Sequence, residues 1–152
     1  DAIIYIEAGN RLPLVPRHTL KAWADVRLSS ALTLRADVLA VSNSVARGNE
    51  NGAHEPDGVY YLGEGYTAGY AVVNASLQFQ ATKRIGAFLQ VDNVLNTQYQ
   101  TAAQLGPTAF TAQGTFIARP FPAIGTEYPL QRSTFVAPGA PRAVYAGLRV
   151  RM

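Results

Sequence analysis

The chain has no cysteine, one methionine and one tryptophan. Without thiols there is no disulfide framework and no thiolate metal site. A cysteine-free chain suits passage through an oxidising compartment. Charge is scarce as well: 15% of residues are Asp, Glu, Lys or Arg, against about 25% in ordinary soluble domains. Long hydrophobic runs are missing, and no stretch approaches the ~18 apolar residues of a membrane helix. His18 and His54 are the only histidines. Neither stands in a Ser/His/Asp spacing, so nothing points to nucleophilic catalysis, and no catalytic residue is assigned. The net charge is +3 with a pI near 9.4, yet the basic residues are scattered. A nucleic-acid-binding stripe is absent, and nucleic acid is not expected as a partner. The opening residues, DAIIYIEAGN, carry no signal peptide. An exported chain of this kind is then expected to be a fragment or a processed piece.

What the chain does have is 48% apolar residues, dispersed rather than clustered. They alternate with polar ones. Leu20, Ala22, Ala24, Val26 and Leu28 share one parity, with Lys21, Trp23, Asp25 and Arg27 between them. Leu32, Leu34, Ala36, Val38 and Ala40 repeat the pattern, as do Val73, Ala75, Leu77 and Phe79. A period of two is the signature of strands with one apolar face. It predicts strands over 18–28, 32–47, 70–80, 86–99 and 140–152, with 1–8 as the end of another. Residues 29–31 and 81–84 are short turns. Residues 9–17, 48–66 and 100–139 are longer connections rich in Gly, Pro and Asn. With the chain end on the periplasmic side, both short turns fall there and all three longer connections fall outside. Short periplasmic turns and long outer loops characterise outer-membrane barrels. The expected fold is all-β, an antiparallel up-and-down meander of about five to six strands forming a segment of a transmembrane barrel. Hydrocarbon offers no hydrogen-bond partners, so such a sheet must close. The smallest barrels use about eight strands, so further strands are expected beyond these. The strand at 140–152 should pair with 86–99 on one edge.

Four stretches in order resemble TonB-dependent outer-membrane receptors of the siderophore type. RLPLVPRHTLKAWADVRL at 11–28 is similar to a loop-to-strand segment in which Pro-Arg-His precedes an alternating strand. ARGNEN at 46–51 resembles an Arg-Gly-(Asp or Asn)-Glu-Asn loop entry. FLQVDNVLNTQY at 88–99 resembles a strand ending in Asp-Asn-Leu-Phe-Asn and then Tyr, with Val94-Leu95 in place of Leu-Phe. APGAPRAVYAGLRVRM at 137–152 resembles the closing strand. There Tyr145, Gly147, Val150 and Met152 match the signal read by the barrel-assembly machinery, with Met152 where Phe is usual.

The resemblance implies a barrel of about 22 strands around a plug, importing scarce ligands such as ferric siderophores. Residues 1–152 would be the C-terminal part of that barrel domain, without the plug, and not a working transporter alone. The implied location is the outer membrane of a Gram-negative bacterium. The implied partners are outer-membrane lipid, the missing plug and remaining strands, the TonB energy-coupling system acting through the plug, the barrel-assembly machinery, and a ferric siderophore or similar small ligand. No cofactor is implied. A passive barrel (porin or adhesin) and a soluble β-sandwich or small barrel are the alternative readings.

Ligand contact is expected from outer loops carried on a rigid scaffold. In and beside 48–66 the candidates are Arg47, Glu50, His54, Tyr60, Tyr61 and Tyr66, through charge and aromatic stacking. Glu50, His54, Glu55, Asp57 and Glu64 could supply metal ligands. They lack the alternate-residue order of a calcium loop, and no metal site is assigned. The inward parity also carries Lys21, Asp25, Arg27, Arg35, Asp37, Arg149 and Arg151. These should pair across strands or meet plug charges. Trp23 and Tyr145 share that parity and should pack in the lumen. The aromatics of 100–139 should cap a ligand vestibule or pack on their own loop.

Overall fold

The computed structural model describes residues 5–120 and 130–151. All regular structure among them is strand: β1 (Thr19–Arg27), β2 (Leu32–Val41), β3 (Ser44–Val45), β4 (Tyr61–Leu62), β5 (Tyr66–Thr67), β6 (Tyr70–Gln80), β7 (Ile85–Asp92), β8 (Gln100–Thr111), β9 (Leu130–Pro138) and β10 (Ala143–Val150). The chain divides into two compact units.

One unit comprises His18–Ser42, Gly69–Tyr99 and Gly139–Met152. It is a five-stranded antiparallel sheet in the order β1-β2-β6-β7-β10. Omitting the strands that lie within connections, this order follows the chain, so the sheet is an up-and-down meander. The β10–β7 pairing is the one the sequence predicts, running from Ala143↔Asp92 to Val150↔Ile85. Among the described residues β1 and β10 each have one strand neighbour.

The two short turns form as expected. Leu28 N–H donates to Leu32 C=O (2.9 Å) in the first. In the second, Thr82 Oγ1 accepts from Ile85 N–H (3.1 Å). Gln80 N–H donates to Ala31 C=O and Arg151 N–H to Arg84 C=O. Both turns and the end of β10 therefore share one end of the sheet.

The register converts sequence alternation into continuous rows. Ala24, Ala36, Ala75, Val91 and Val144 form one row across five strands; Val26, Leu34, Leu77, Leu89 and Ala146 form the next. This face is open: Leu148 is 79% exposed and Val150 70%. An exposed apolar surface of this extent needs a covering partner. The opposite face carries the row Asp25, Arg35, Ser76, Gln90 and Tyr145. Arg35 Nε lies 3.8 Å from Asp25 Oδ1, a pairing across strands as anticipated. Both groups are about half exposed, so the pair is worth about 0–1 kcal/mol. Leu39, Val72 and Phe88 interrupt this face with apolar groups. Gly147 sits opposite Phe88, and a Cβ there would lie 2.6 Å from the Phe88 ring. Glycine at 147 therefore leaves space for an aromatic ring to cover the strand. Trp23 and Tyr145 share this face and are 67% and 53% exposed.

A polar corner joins β2, β6 and the entry to β10. Asn74 Nδ2 donates to Asp37 Oδ2 (2.8 Å), and Asn74 Oδ1 accepts from Asn93 N–H (2.9 Å). Asn93 is 2% exposed and has a left-handed backbone, φ 51°. Its Nδ2 donates to Thr97 C=O (2.9 Å) and Ala140 C=O (3.0 Å), and its Oδ1 accepts from Thr97 N–H (2.8 Å). Asn is one of the few residues that tolerates this conformation.

Several sequence boundaries are corrected. The strand expected over 32–47 breaks after Val41, and β3 is separate. The strand expected over 86–99 ends at Asp92, where the left-handed Asn93 and Asn96 turn the chain. Residues 5–8 are not strand, and 1–4 lie outside the described residues. The largest correction is 100–139. Its expected open loop contains β8 and β9, an antiparallel pair from Gln100↔Pro138 to Thr111↔Leu130. Phe121, Pro122, Tyr128 and Pro129 of that stretch lie outside the described residues.

Candidate functional site

The other unit comprises Asp1–Arg17, Asn43–Ala68 and Gln100–Pro138, and it holds every candidate ligand-contact residue. Its frame is a closed ring of backbone pairing. β3 pairs with β5, Ser44↔Thr67 and Val45↔Tyr66. Arg47 then bridges in parallel to Gln104 of β8, through Arg47 N–H to Ala103 C=O (2.9 Å) and Leu105 N–H to Arg47 C=O (2.8 Å). β8 pairs with β9. β9 pairs in parallel with β4, Tyr61↔Arg132 and Leu62↔Ser133. Three residues separate β4 from β5, and the circuit is complete. Ser44, Ala46, Asn49, Gly65, Thr67, Ala103 and Leu130 are buried among the described residues of these segments.

The ring takes up much of the polar chemistry of 48–66. Asn49 Nδ2 donates to Gly65 C=O (3.1 Å), and Asn49 Oδ1 accepts from His54 N–H (3.0 Å). His54 Nε2 lies 2.9 Å from Gly63 C=O, and its ring meets Tyr61 edge-on at 6.0 Å. His54 therefore ties the loop to itself. Glu50 Oε1 accepts from Gly48 N–H (3.0 Å), while its Oε2 is buried without a hydrogen-bond partner. Among the described residues no three acidic or histidine groups gather into a metal cluster.

Asp57 Oδ1 accepts from the N–H groups of Val59, Tyr60 and Tyr61, each at 2.8 Å. These bonds, Tyr61 foremost, hold its carboxyl below the ordinary 3.8. A depressed carboxylate stabilises the turn above the unfolded pKa and loses that effect as pH falls through the lowered value. The 57–61 turn should therefore keep slow amide exchange at Val59–Tyr61 down to mildly acidic pH and loosen only in stronger acid. Asp57→Asn should remove the pH dependence, and loosening near neutrality would contradict the assignment.

Tyr60, Tyr61 and Tyr66 remain 43–44% exposed. Tyr66 Oη donates to Glu64 Oε2 (3.1 Å). That hydrogen bond, and then the carboxylate's charge, raise the phenol above its usual value. Tyr66 thus presents a neutral, hydrogen-bonded phenol at the surface. Arg47 is exposed and lines a shallow cavity of about 320 Å³ with Leu14, Gln104 and Phe135. A second cavity, also about 320 Å³, is lined by Phe110, Phe116, Ile117, Arg119 and Phe135. Phe110 and Phe116 pack edge to face at 5.8 Å, so this part of 100–139 packs on itself. Glu50, His54 and the tyrosines share one expected role; the structure separates His54, held by the frame, from the exposed rings.

Sequence reasoning missed Gln131, Arg132 and Thr134. Gln131 Nε2 donates to Val59 C=O (2.7 Å), and Arg132 N–H to Tyr60 C=O (2.6 Å). Thr134 Oγ1 accepts from Gly65 N–H (3.2 Å). No local pattern marks residues whose partners lie about seventy positions away. Gly63 shows how close the approach is. Its φ is +83°, and a Cβ would lie 2.8 Å from Thr134 Oγ1 and 3.2 Å from Thr134 N. Gly63→Ala should cost about 1–3 kcal/mol from backbone strain, with faster exchange at Gly65 and Arg132. Unchanged exchange would contradict this packing.

The family model described as TonB dependent receptor-like, beta-barrel, matches residues 4–94. The pesticin receptor of Yersinia enterocolitica is 32% identical over 105 residues, covering 69% of this chain and 14% of the receptor. The Yersinia pestis pesticin receptor is 31% identical over the same length. The chain thus spans about one-seventh of these curated relatives. Solved structures share the fold. The ferric yersiniabactin uptake receptor FyuA from Yersinia pestis aligns with TM-score 0.58 and 21% identity, over 93% of this chain and 17% of that one. The siderophore receptor PiuA from Acinetobacter baumannii aligns with TM-score 0.55 and 14% identity, over 93% and 15%. The open form of the ferric-catecholate import receptor Fiu from E. coli aligns with TM-score 0.54 and 17% identity, over 89% and 15%. With the family model covering more than half of the chain, this protein belongs to the TonB-dependent receptor β-barrel family.

Proposed function

We propose that these 152 residues supply consecutive barrel strands and two outer loops to an outer-membrane receptor of a Gram-negative bacterium. Its cargo is a ferric siderophore-type ligand. One observation carries the reading: five strands in meander order, with unbroken apolar rows on one face and Asp25, Arg35, Asn74 and Gln90 on the other. An apolar exterior against lipid and a polar interior are what a transmembrane barrel requires. Family members are receptors and transporters, not enzymes, which sets aside catalysis and the passive-barrel and soluble-sandwich alternatives.

In this reading 1–152 forms the C-terminal part of the barrel domain, supported by the likeness of 137–152 to the closing strand. The plug, the remaining strands and the TonB contact belong to receptor sequence other than this chain. Tyr145, Gly147, Val150 and Met152 are the residues offered to the barrel-assembly machinery; Met152 lies outside the described residues. The structural neighbours, a siderophore receptor, a ferric-catecholate import receptor and a ferric yersiniabactin uptake receptor, support a ferric chelate as cargo. Arg47, Glu50, Tyr60, Tyr61 and Tyr66 are the proposed contacts, with His54 holding their loop.

The test is uptake of iron-55 chelated by a panel of catecholate and phenolate ligands, in cells with and without the intact receptor. Uptake of at least one chelate that needs both the receptor and TonB is expected. Receptor-dependent passage without TonB, or no receptor-dependent uptake of any chelate, would overturn the proposal.

A further inference from the structure

We propose that β9 is the positioning element of the tyrosine surface: Gln131, Arg132 and Thr134 hold Tyr60, Tyr61 and Tyr66 in place before any ligand arrives. The 43–68 and 100–138 connections then act as one pre-formed body, not as two independently mobile arms. That this body meets a ferric chelate rests on the proposed function; that it is one body does not.

An isolated loop of this length would leave its peptide groups to water and sample many conformations. Here the tyrosine segment is bonded along its length to a different connection. Val59 C=O accepts from Gln131, Tyr60 C=O accepts from Arg132, and β4 is in register with Arg132 and Ser133. Gly65, immediately before Tyr66, donates to Thr134 Oγ1. Tyr60 and Tyr66 are thus each fixed by β9 at or beside their own peptide. The other leg is fixed as well, Arg47 to Ala103 and Leu105. β3–β5 closes the base.

A closed ring has a consequence that a single hairpin lacks. β8 is paired with Arg47 on one side and β9 on the other, and β9 with β8 and β4, so opening one seam of either strand strains the pairing on its other side. Unpaired buried peptide groups are costly. Local opening should therefore be cooperative, with one seam's loss felt at the others. The phenols are exposed while their backbone is fixed, which is the arrangement for presenting rigid aromatic rings to a partner.

The experiment uses the intact receptor in detergent or nanodiscs, without ligand. Amide exchange at Gly65, Leu105 and Arg132 is followed alongside fluorine resonances of receptor containing 3-fluorotyrosine. All three amides should be strongly protected in the wild type. Thr134→Val, which removes the acceptor for Gly65, should speed exchange at Gly65 and at Leu105 across the ring, and should shift or broaden the Tyr61 and Tyr66 resonances. Thr134→Ser keeps the hydroxyl and should restore both readouts. Leu105→Pro removes one donor facing Arg47 and should speed exchange at Gly65 and Arg132. Near-unprotected amides in the wild type, or effects confined to the mutated seam, would overturn the proposal. Neither readout needs a ligand, so failure here is distinct from a failure to transport iron.

Discussion

Asn93→Gly should lower stability by about 1.5–4.5 kcal/mol, summing three side-chain hydrogen bonds of a buried amide at about 0.5–1.5 kcal/mol each. Glycine is the informative substitution because φ at 93 is 51°, so the folded backbone stays unstrained and the loss reads the hydrogen bonds plus the small unfolded-state entropy term that glycine adds. Those bonds close the Thr97 turn and hold Ala140, three residues before β10. Asn93→Ala should cost about 1–2 kcal/mol more, the price of a Cβ in the left-handed region. Asn93→Asp should also be worse than its shape suggests, since a carboxylate would face the Thr97 and Ala140 carbonyls that now accept from Nδ2. Denaturant unfolding of the intact receptor checks the series. A loss below about 0.5 kcal/mol for Asn93→Gly, the usual range of surface changes, would mean that water replaces the side chain there.

Ala75→Arg is the second large effect. Ala75 lies mid-strand in β6, in the row Ala24, Ala36, Ala75, Val91, Val144. On a lipid-facing surface near the bilayer centre an arginine costs about 2–4 kcal/mol. The expected result is a barrel that assembles poorly and unfolds at lower denaturant. Gln90→Arg is the matched control, one charge on the opposite face of the same sheet. Gln90 already donates to Asp92 Oδ1 (2.8 Å), and an arginine would find the same carboxylate. Equal damage from both substitutions would show that the two faces do not differ in environment.

The five long strands of the meander were legible because each carries its own signal. Leu20 to Leu28 and Val73 to Phe79 alternate without interruption, and the turns at 29–31 and 81–84 are too short to connect anything but antiparallel neighbours. The closing pair followed from order alone. β8 and β9 were illegible for the opposite reason. QTAAQLGPTAFT has no period of two, and Pro107 argues against a strand. The structure accommodates Pro107 at a register break, between Pro107↔Arg132 and Thr111↔Leu130, where a missing N–H disrupts little. These strands are stabilised by partners at 47 and 60–62, far away in sequence and in parallel orientation. The same distance hid Gln131, Arg132 and Thr134. The tyrosines were legible as chemistry, because exposed phenols in a Gly-rich stretch stand out. The role of His54 was not, because the Gly63 carbonyl that engages it appears only once the loop folds back.

The Asp-Asn of FLQVDNVLNTQY also changes meaning. As a motif it marks a strand end. In the structure Asn93 and Asn96 both adopt φ of 51°, and Asn96 Oδ1 accepts from Arg142 N–H (3.2 Å). Two asparagines turn the chain and receive the segment that leads into β10.

In the proposed receptor one face of the β1-β2-β6-β7-β10 sheet meets lipid and the other an aqueous lumen. The most direct test is a spin-label scan along β6, residues 73–79, in the intact receptor reconstituted in bilayers. Labels at 73, 75, 77 and 79 should be accessible to oxygen and shielded from a water-soluble nickel chelate, and labels at 74, 76 and 78 should show the reverse. Accessibility without a period of two, or with its phase inverted, would contradict the account.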